Sequence, residues 1–172
     1  MLWILAAAAV LALVLAFRWA ARRVRALQVA EAQRRRQEAA YQDQRERAQR
    51  VLAGQAPPLE RVPVVLPAGE SAYHLVDAAA LSADGDGFRR EVRGRLLVTD
   101  RAVYFVTGGE VRDRYPVHAI ERVEVPFANV AALVSFGDGL HREERRAWFE
   151  VAEPLVLAAH ISRFAGFELI LS

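Results

Sequence analysis

The residues of this chain most capable of chemistry are four histidines, five serines, an Asp-Gly repeat and a run of arginines. His74, His118, His141 and His160 fall on separate segments, without an H-E-x-x-H or His-x-His spacing. They are therefore expected as surface or capping residues, and no metal site is assigned. His141-Arg142-Glu143-Glu144-Arg145 lacks the second histidine. Ser71, Ser82, Ser135, Ser162 and Ser172 stand outside any G-x-S-x-G turn, which removes the usual exposed serine nucleophile. Asp84-Gly85-Asp86-Gly87 opens like a calcium loop. Counting twelve from Asp84 or from Ser82 ends on Arg95 or Arg93, where calcium requires a bidentate glutamate. A loop between strands is the better reading.

Composition closes further routes. The chain has no cysteine, so thiol nucleophiles, zinc-thiolate sites, iron–sulfur clusters and disulfides are excluded. Every one of its 23 basic residues is arginine, which excludes a lysine Schiff base and a P-loop lysine. Abundant alanine with no lysine fits a GC-rich, bacterial coding bias. No catalytic residue and no cofactor is expected, and the chain reads as a non-enzyme.

The arginines are the remaining candidate. Phe88-Arg89-Arg90-Glu91-Val92-Arg93-Gly94-Arg95 places Arg89, Arg90, Arg93 and Arg95 within seven positions. With strict alternation along a strand, Arg89, Arg93 and Arg95 share one face with Glu91 among them. Two readings stand: a solvated face with local ion pairs, or a site for an anionic headgroup or acidic peptide. The charge balance bears on the choice. Residues 1–54 carry ten arginines against four acids, net +6, and residues 55–172 carry thirteen against seventeen, net −4. A basic flank before an acidic body argues against nucleic acid as a partner.

These side chains need elements to hold them. Residues 2–17 are apolar without interruption, and Arg18 precedes Trp19, Ala20 and Ala21. As a helix, 2–21 would span roughly 30 Å, about one hydrocarbon core. Trp3 and Trp19 sit where interfacial aromatics belong, and Arg18 could snorkel. No basic residue precedes the run, and Phe17-Arg18-Trp19 is a poor cleavage context, which disfavours a signal peptide. The expectation is a single-pass anchor over 1–21. Arg18, Arg22, Arg23 and Arg25 on its C-terminal flank place the N-terminus outside and the body cytoplasmic, at a cell inner membrane.

Residues 22–54 read as a charged helical stalk, free of glycine and proline until Gly54. A solvated stalk is the plain reading. Weak self-association is a second, although Arg34, Arg35 and Arg36 interrupt a coiled-coil seam, and a helix lying on anionic lipid is a third. Residues 55–61 form a stiff linker around Pro57-Pro58.

From residue 62 the apolar period changes to two. Residues 61–66 are extended between Pro63 and Pro67. Strands are expected at 91–99, 102–106, 111–115, 120–125, 130–136 and 147–151, with Gly108-Gly109 as a hairpin turn. Residues 71–81 suit a helix by composition and a strand by position. Residues 155–165 return to helical spacing, with Leu157, Ile161 and Phe164 in one stripe ended by Gly166. The fold class is thus α+β: anchor, stalk, then at 62–172 a seven-stranded antiparallel barrel capped by a C-terminal helix.

The segment Gly94-Arg95-Leu96-Leu97-Val98-Thr99-Asp100-Arg101-Ala102-Val103-Tyr104-Phe105 resembles the "G-x-L-x-(L/V)-T-(D/N)-x-x-(L/V)-x-F" hairpin of GRAM and bacterial pleckstrin-homology (PH)-like domains. Pro67-Ala68-Gly69-Glu70 is similar to their opening "x-x-G-E", and Tyr115-Pro116-Val117-His118-Ala119-Ile120-Glu121-Arg122-Val123 to their "(I/V)-P-L-x-x-I-x-x-V". The likeness covers roughly residues 62–166. It implies a bent seven-stranded barrel with a helical cap and little chemistry, since that superfold serves lipids, peptides and scaffolding alike. It also implies that basic residues between the first two strands could meet a phosphoinositide, although Asp84, Asp86 and Glu91 depart from that pattern. The expected function is a membrane-tethered, non-catalytic module presenting a PH-like domain to a protein partner. The alternative is anionic-lipid or phosphate-headgroup sensing by Arg89, Arg90, Arg93 and Arg95.

Overall fold

The structure is a computed structural model that describes residues 2–84, 87–127, 129–136 and 144–169. The chain forms two compact units, one up to Gln42 and one from Asp43 onward. Helix α1 (Leu2–Leu52) runs unbroken for 51 residues, because no glycine or proline precedes Gly54. Its surface is tied by i,i+4 pairs, Glu31–Arg35 at 2.6 Å and Arg34–Glu38 at 3.9 Å. It ends where Gly54 takes a left-handed φ of 78° and its amide reaches the Val51 carbonyl at 2.9 Å.

The expected anchor is overturned. Among the described residues no helix is long and apolar enough to cross a membrane. The uninterrupted run stops at Arg18 after sixteen residues, a rise of about 24 Å against a hydrocarbon core of about 30 Å. The helix then continues into Arg22, Arg23 and Arg25 without a break. The roles given to Trp3, Arg18, Trp19, Arg22, Arg23 and Arg25 as membrane-flanking residues fall with it. So do the single-pass assignment, the inner-membrane location and the orientation. Arg23 instead lies over the Trp19 ring, 5.2 Å from its centroid, an ordinary i,i+4 contact on a helix surface.

The second unit holds seven antiparallel strands: β1 (Ala72–Asp84), β2 (Gly87–Thr99), β3 (Ala102–Thr107), β4 (Glu110–Pro116), β5 (Ile120–Phe127), β6 (Val130–Phe136) and β7 (Glu144–Val151). Their order in the sheet is β4-β3-β2-β1-β7-β6-β5. Helix α2 (Pro154–Ala165) follows, with proline in its first turn and Gly166 closing it at φ 79°. Alternate residues point inward: Val76 and Ala78, Leu96 and Val98, Val103 and Phe105, Ala131 and Leu133, Phe149 and Val151. They meet Leu157, Ala158 and Ile161 of α2 in one core. Gly94 is required where β2 runs beside β3: a Cβ there would collide with the Val106 carbonyl oxygen and sit 2.9 Å from the Phe105 ring.

Two local readings are resolved. Residues 71–81 resolve as strand, because Val76 and Ala78 alternate into the core and small side chains let β7 lie alongside over Ala78–Leu81. Burial overrides alanine's helical preference. Residues 61–66, read as extended, lie outside the strand ladders. Val62, Val64 and Leu66 instead cover the outer face of the sheet over Leu97, Tyr104 and Val106.

Helix α2 has no wet side over Pro154–Ser162. Its second face, Leu155, Val156 and Ala159, packs on Ala48 and Val51 from the last turns of α1. Arg47 bonds Glu153 at 2.7 Å and Asp43 at 2.8 Å, and Gln44 donates to the Ala152 carbonyl at 3.2 Å. The final turns of α1 are therefore part of the folded unit rather than stalk. A fragment starting at residue 62 is expected to be about 2–4 kcal/mol less stable than one starting at Asp43, from unburying Val51, Leu155 and Val156. Denaturant titration of both fragments checks this, and equal midpoints would refute it.

Candidate functional site

Strand β2 carries the arginine cluster, and its register decides which side chains meet. Ala80 lies opposite Val92, but Leu81 lies opposite Arg90, so Glu91 is an extra residue, a β-bulge. The bulge inverts the alternation expected from sequence. Arg90, Arg93 and Arg95 sit opposite Leu81, Ala79 and Asp77 on the outer face of β1, and Arg89 sits opposite Ser82 on the other. The face shared by Arg89, Arg93 and Arg95 is thus corrected to one shared by Arg90, Arg93 and Arg95. Phe88 joins them, its ring centroid 4.8 Å from that of Trp148, which pairs with Leu81.

A cleft of about 500 Å³ opens on this face, lined by Asp77, Arg90, Arg93, Gly94, Asn129 and Glu150. Its cause is topological. Strand β7 pairs with β1 only over Ala78–Leu81 and leaves it at Val151, where the chain turns into α2. The Val151 amide donates to the Asn129 carbonyl at 2.8 Å, which fixes that rim. Arg90 is already engaged, its Nε 2.7 Å from Glu150 Oε2 and its Nη2 bonded to the same oxygen. Arg89, Arg93 and Arg95 form no ion pair among the described residues. Among the described residues Arg93 lines the cleft without an ion-pair partner, beside the closed Arg90–Glu150 pair and Asp77. Asp77, Asn129 and Glu150 were not singled out from sequence. Asp77, preceding the alanines at 78–80 of β1, was the one legible signal.

The other chemical candidates are accounted for locally. His74 and His160 stack with ring centroids 4.7 Å apart and planes 9° apart. Burial lowers the pKa of both, that of His160 to about 3, with His74 and Arg163 adding to it. Both rings are therefore neutral at pH 7. His118 is exposed on the turn before β5, and His141 lies outside the described residues. Ser162 donates to the Phe167 carbonyl at 2.6 Å. Among the described residues no group of three metal-ligating side chains occurs. Gly85 and Asp86 of the Asp-Gly repeat lie outside the described residues, where the chain passes from β1 to β2.

The motifs that carry the PH-like resemblance meet in space. Glu70 accepts hydrogen bonds from the Thr99 hydroxyl and, at 3.0 Å, from Tyr104. Thr99, fully buried, accepts from the amides of Ala102 at 2.9 Å and Arg101 at 3.2 Å. Asp100 accepts from the Ser71 amide at 3.1 Å. The "G-E" and "T-D" residues thus lock the start of β1 to the β2–β3 turn, which is a structural task. Burial raises the Tyr104 pKa, so its hydroxyl stays a donor. No protein-family model matches the chain, and no curated protein matches it in sequence.

Proposed function

We propose that the unit from Asp43 onward is a PH-like, non-catalytic docking module that takes a protein partner in the cleft between β1, β2 and β7. The observation that carries this is the charge pattern: Arg93, unpaired among the described residues, set beside the closed Arg90–Glu150 pair and Asp77. Such alternation of sign suits a peptide or protein surface carrying both charges. It suits an anionic bilayer less, because sixteen arginines against nineteen acids leave this unit at net −3.

The test is a displayed random-peptide library selected against the full chain, alongside flotation with vesicles of rising anionic content. Peptides bearing a carboxylate should be enriched, and Arg93→Glu should weaken them by about tenfold or more. Vesicle binding that survives physiological salt and disappears in Arg93→Glu, with no peptide enriched, would replace this reading with headgroup recognition.

A further inference from the structure

Strand β2 outruns its neighbour. Strand β3 pairs with it over residues 95–98, because the β3–β4 hairpin turns back at Gly108 and Gly109. On that side residues 87–93 have no neighbouring strand among the described residues, while on the other they lie against β1. The open edge measures about 24 Å of extended chain, and all of it but Val92 is exposed. From the end of β3 the Thr107 hydroxyl donates to the Arg93 carbonyl at 3.3 Å, so main-chain polar groups of Arg93 face this side. An exposed edge of such length is a template for strand pairing.

We propose that this edge of β2 receives an extended, acidic segment of a partner protein as an added strand. The proposal rests on the docking reading above, whose cleft reaches the edge through Arg93. Charge selects the occupant. Arg89, Arg90 and Arg93 stand on the edge with Glu91 as the one acid. Glu150 neutralises Arg90, while Arg89 and Arg93 form no ion pair among the described residues. Arg89 lies opposite Ser82 and Arg93 opposite Ala79, which puts them on opposite faces of β2. An added strand with carboxylates on both faces meets each of them, and opposite charges on neighbouring strands attract. Two copies of this edge paired together would bring three arginines and one glutamate from each side, an excess of like charge that disfavours self-pairing. The strands that end the sheet offer no such selection. Strand β4 mixes Glu110, Arg112, Asp113 and Arg114, and on β5 Arg122 is paired with Glu124 at 2.9 Å and Glu144 at 3.3 Å. Main-chain hydrogen bonds supply the affinity of strand addition, and Arg89 and Arg93 its selectivity.

The probe is the blocked heptapeptide acetyl-Val-Glu-Glu-Val-Glu-Glu-Val-amide, which as a strand carries carboxylates on both faces. It should bind the full chain and slow hydrogen exchange of the amides at 88–93. Arg89→Glu should weaken it by about tenfold or more. A version methylated on every internal amide nitrogen, stripped of its main-chain donors, should lose at least as much. Absence of binding, unchanged exchange across 88–93, or equal affinity for the methylated peptide overturns strand addition. Docking in the cleft is judged separately, because Arg89 does not line it. A peptide lost in Arg93→Glu but indifferent to Arg89→Glu and to methylation leaves the cleft reading standing and removes this one. A peptide that binds both arginine variants as tightly as the wild type refutes the two together.

Discussion

Phe105→Ala should lower the unfolding free energy by about 3–5 kcal/mol, a large part of the 5–15 kcal/mol that a domain of this size holds. Phe105 is fully buried and sits where three elements converge. Its ring lies 5.4 Å from that of Phe149 on β7 and presses on the position of the missing Gly94 side chain on β2. Phe149 in turn meets Tyr115 edge-on at 6.0 Å. Truncation therefore empties the junction of β2, β3 and β7, which cannot collapse without shifting two hydrogen-bonded strands. Denaturant unfolding measures the loss. Val111→Ala, at a position 44% exposed on β4, serves as the control and should change stability by no more than about 0.5 kcal/mol. Comparable losses in both variants would mean that the core is not organised around Phe105.

The elements that sequence reasoning placed well are those in which local pattern and burial agree. Val103 and Phe105 alternate cleanly, Gly108 and Gly109 both adopt positive φ in the β3–β4 hairpin, and α2 begins at a proline and ends at Gly166. Local pattern was indecisive where a distant partner decides. Alanine at 78–80 favours a helix locally but sits in β1 because β2 and β7 pair with it. Residues 61–66, read as extended, cover a sheet face without joining a ladder, since Pro63 and Pro67 lack the amides a ladder needs. The buried second face of α2 could not be read at all, because its cover, Ala48 and Val51, lies a hundred residues earlier. The apolar N-terminal run suggested a membrane span, but among the described residues no helix is long and apolar enough to cross a membrane.

For the candidate site, residue types were legible and geometry was not. Four arginines on one strand are plain in sequence, but a single bulge at Glu91 exchanges Arg89 for Arg90 on the relevant face. Glu150, which neutralises Arg90, is 60 residues away and reaches it only because β7 inserts beside β1. Register and sheet order are long-range properties, and nothing in the local spacing around Arg90 encodes them.

Stability should also fall with acid in a way that His160 controls. The ring is 3% exposed and stacked on His74, with Arg163 close enough to disfavour a further positive charge. Around the pair, Arg47 and Glu153 act on His74 with opposite signs. Burial depresses the His160 pKa from an ordinary 6.5 to about 3. The unfolded chain therefore binds a proton that the folded chain refuses between those values, so stability is complete above pH 6.5 and drains as pH falls toward 3. Each pH unit inside that window removes about 1.4 kcal/mol for one such group, or about 4–5 kcal/mol across it. His74 is lowered for the same reason and steepens the loss. The decisive quantity is the difference between wild type and His160→Leu. That variant also removes a buried Nδ1 without a hydrogen-bond partner among the described residues. Denaturant unfolding at pH 7.5, 5.5 and 4 should show the two proteins converging or crossing as the pH drops, with the variant losing less. Parallel curves at all three pH values would show that the stacked imidazoles are not what the folded state protects from protons.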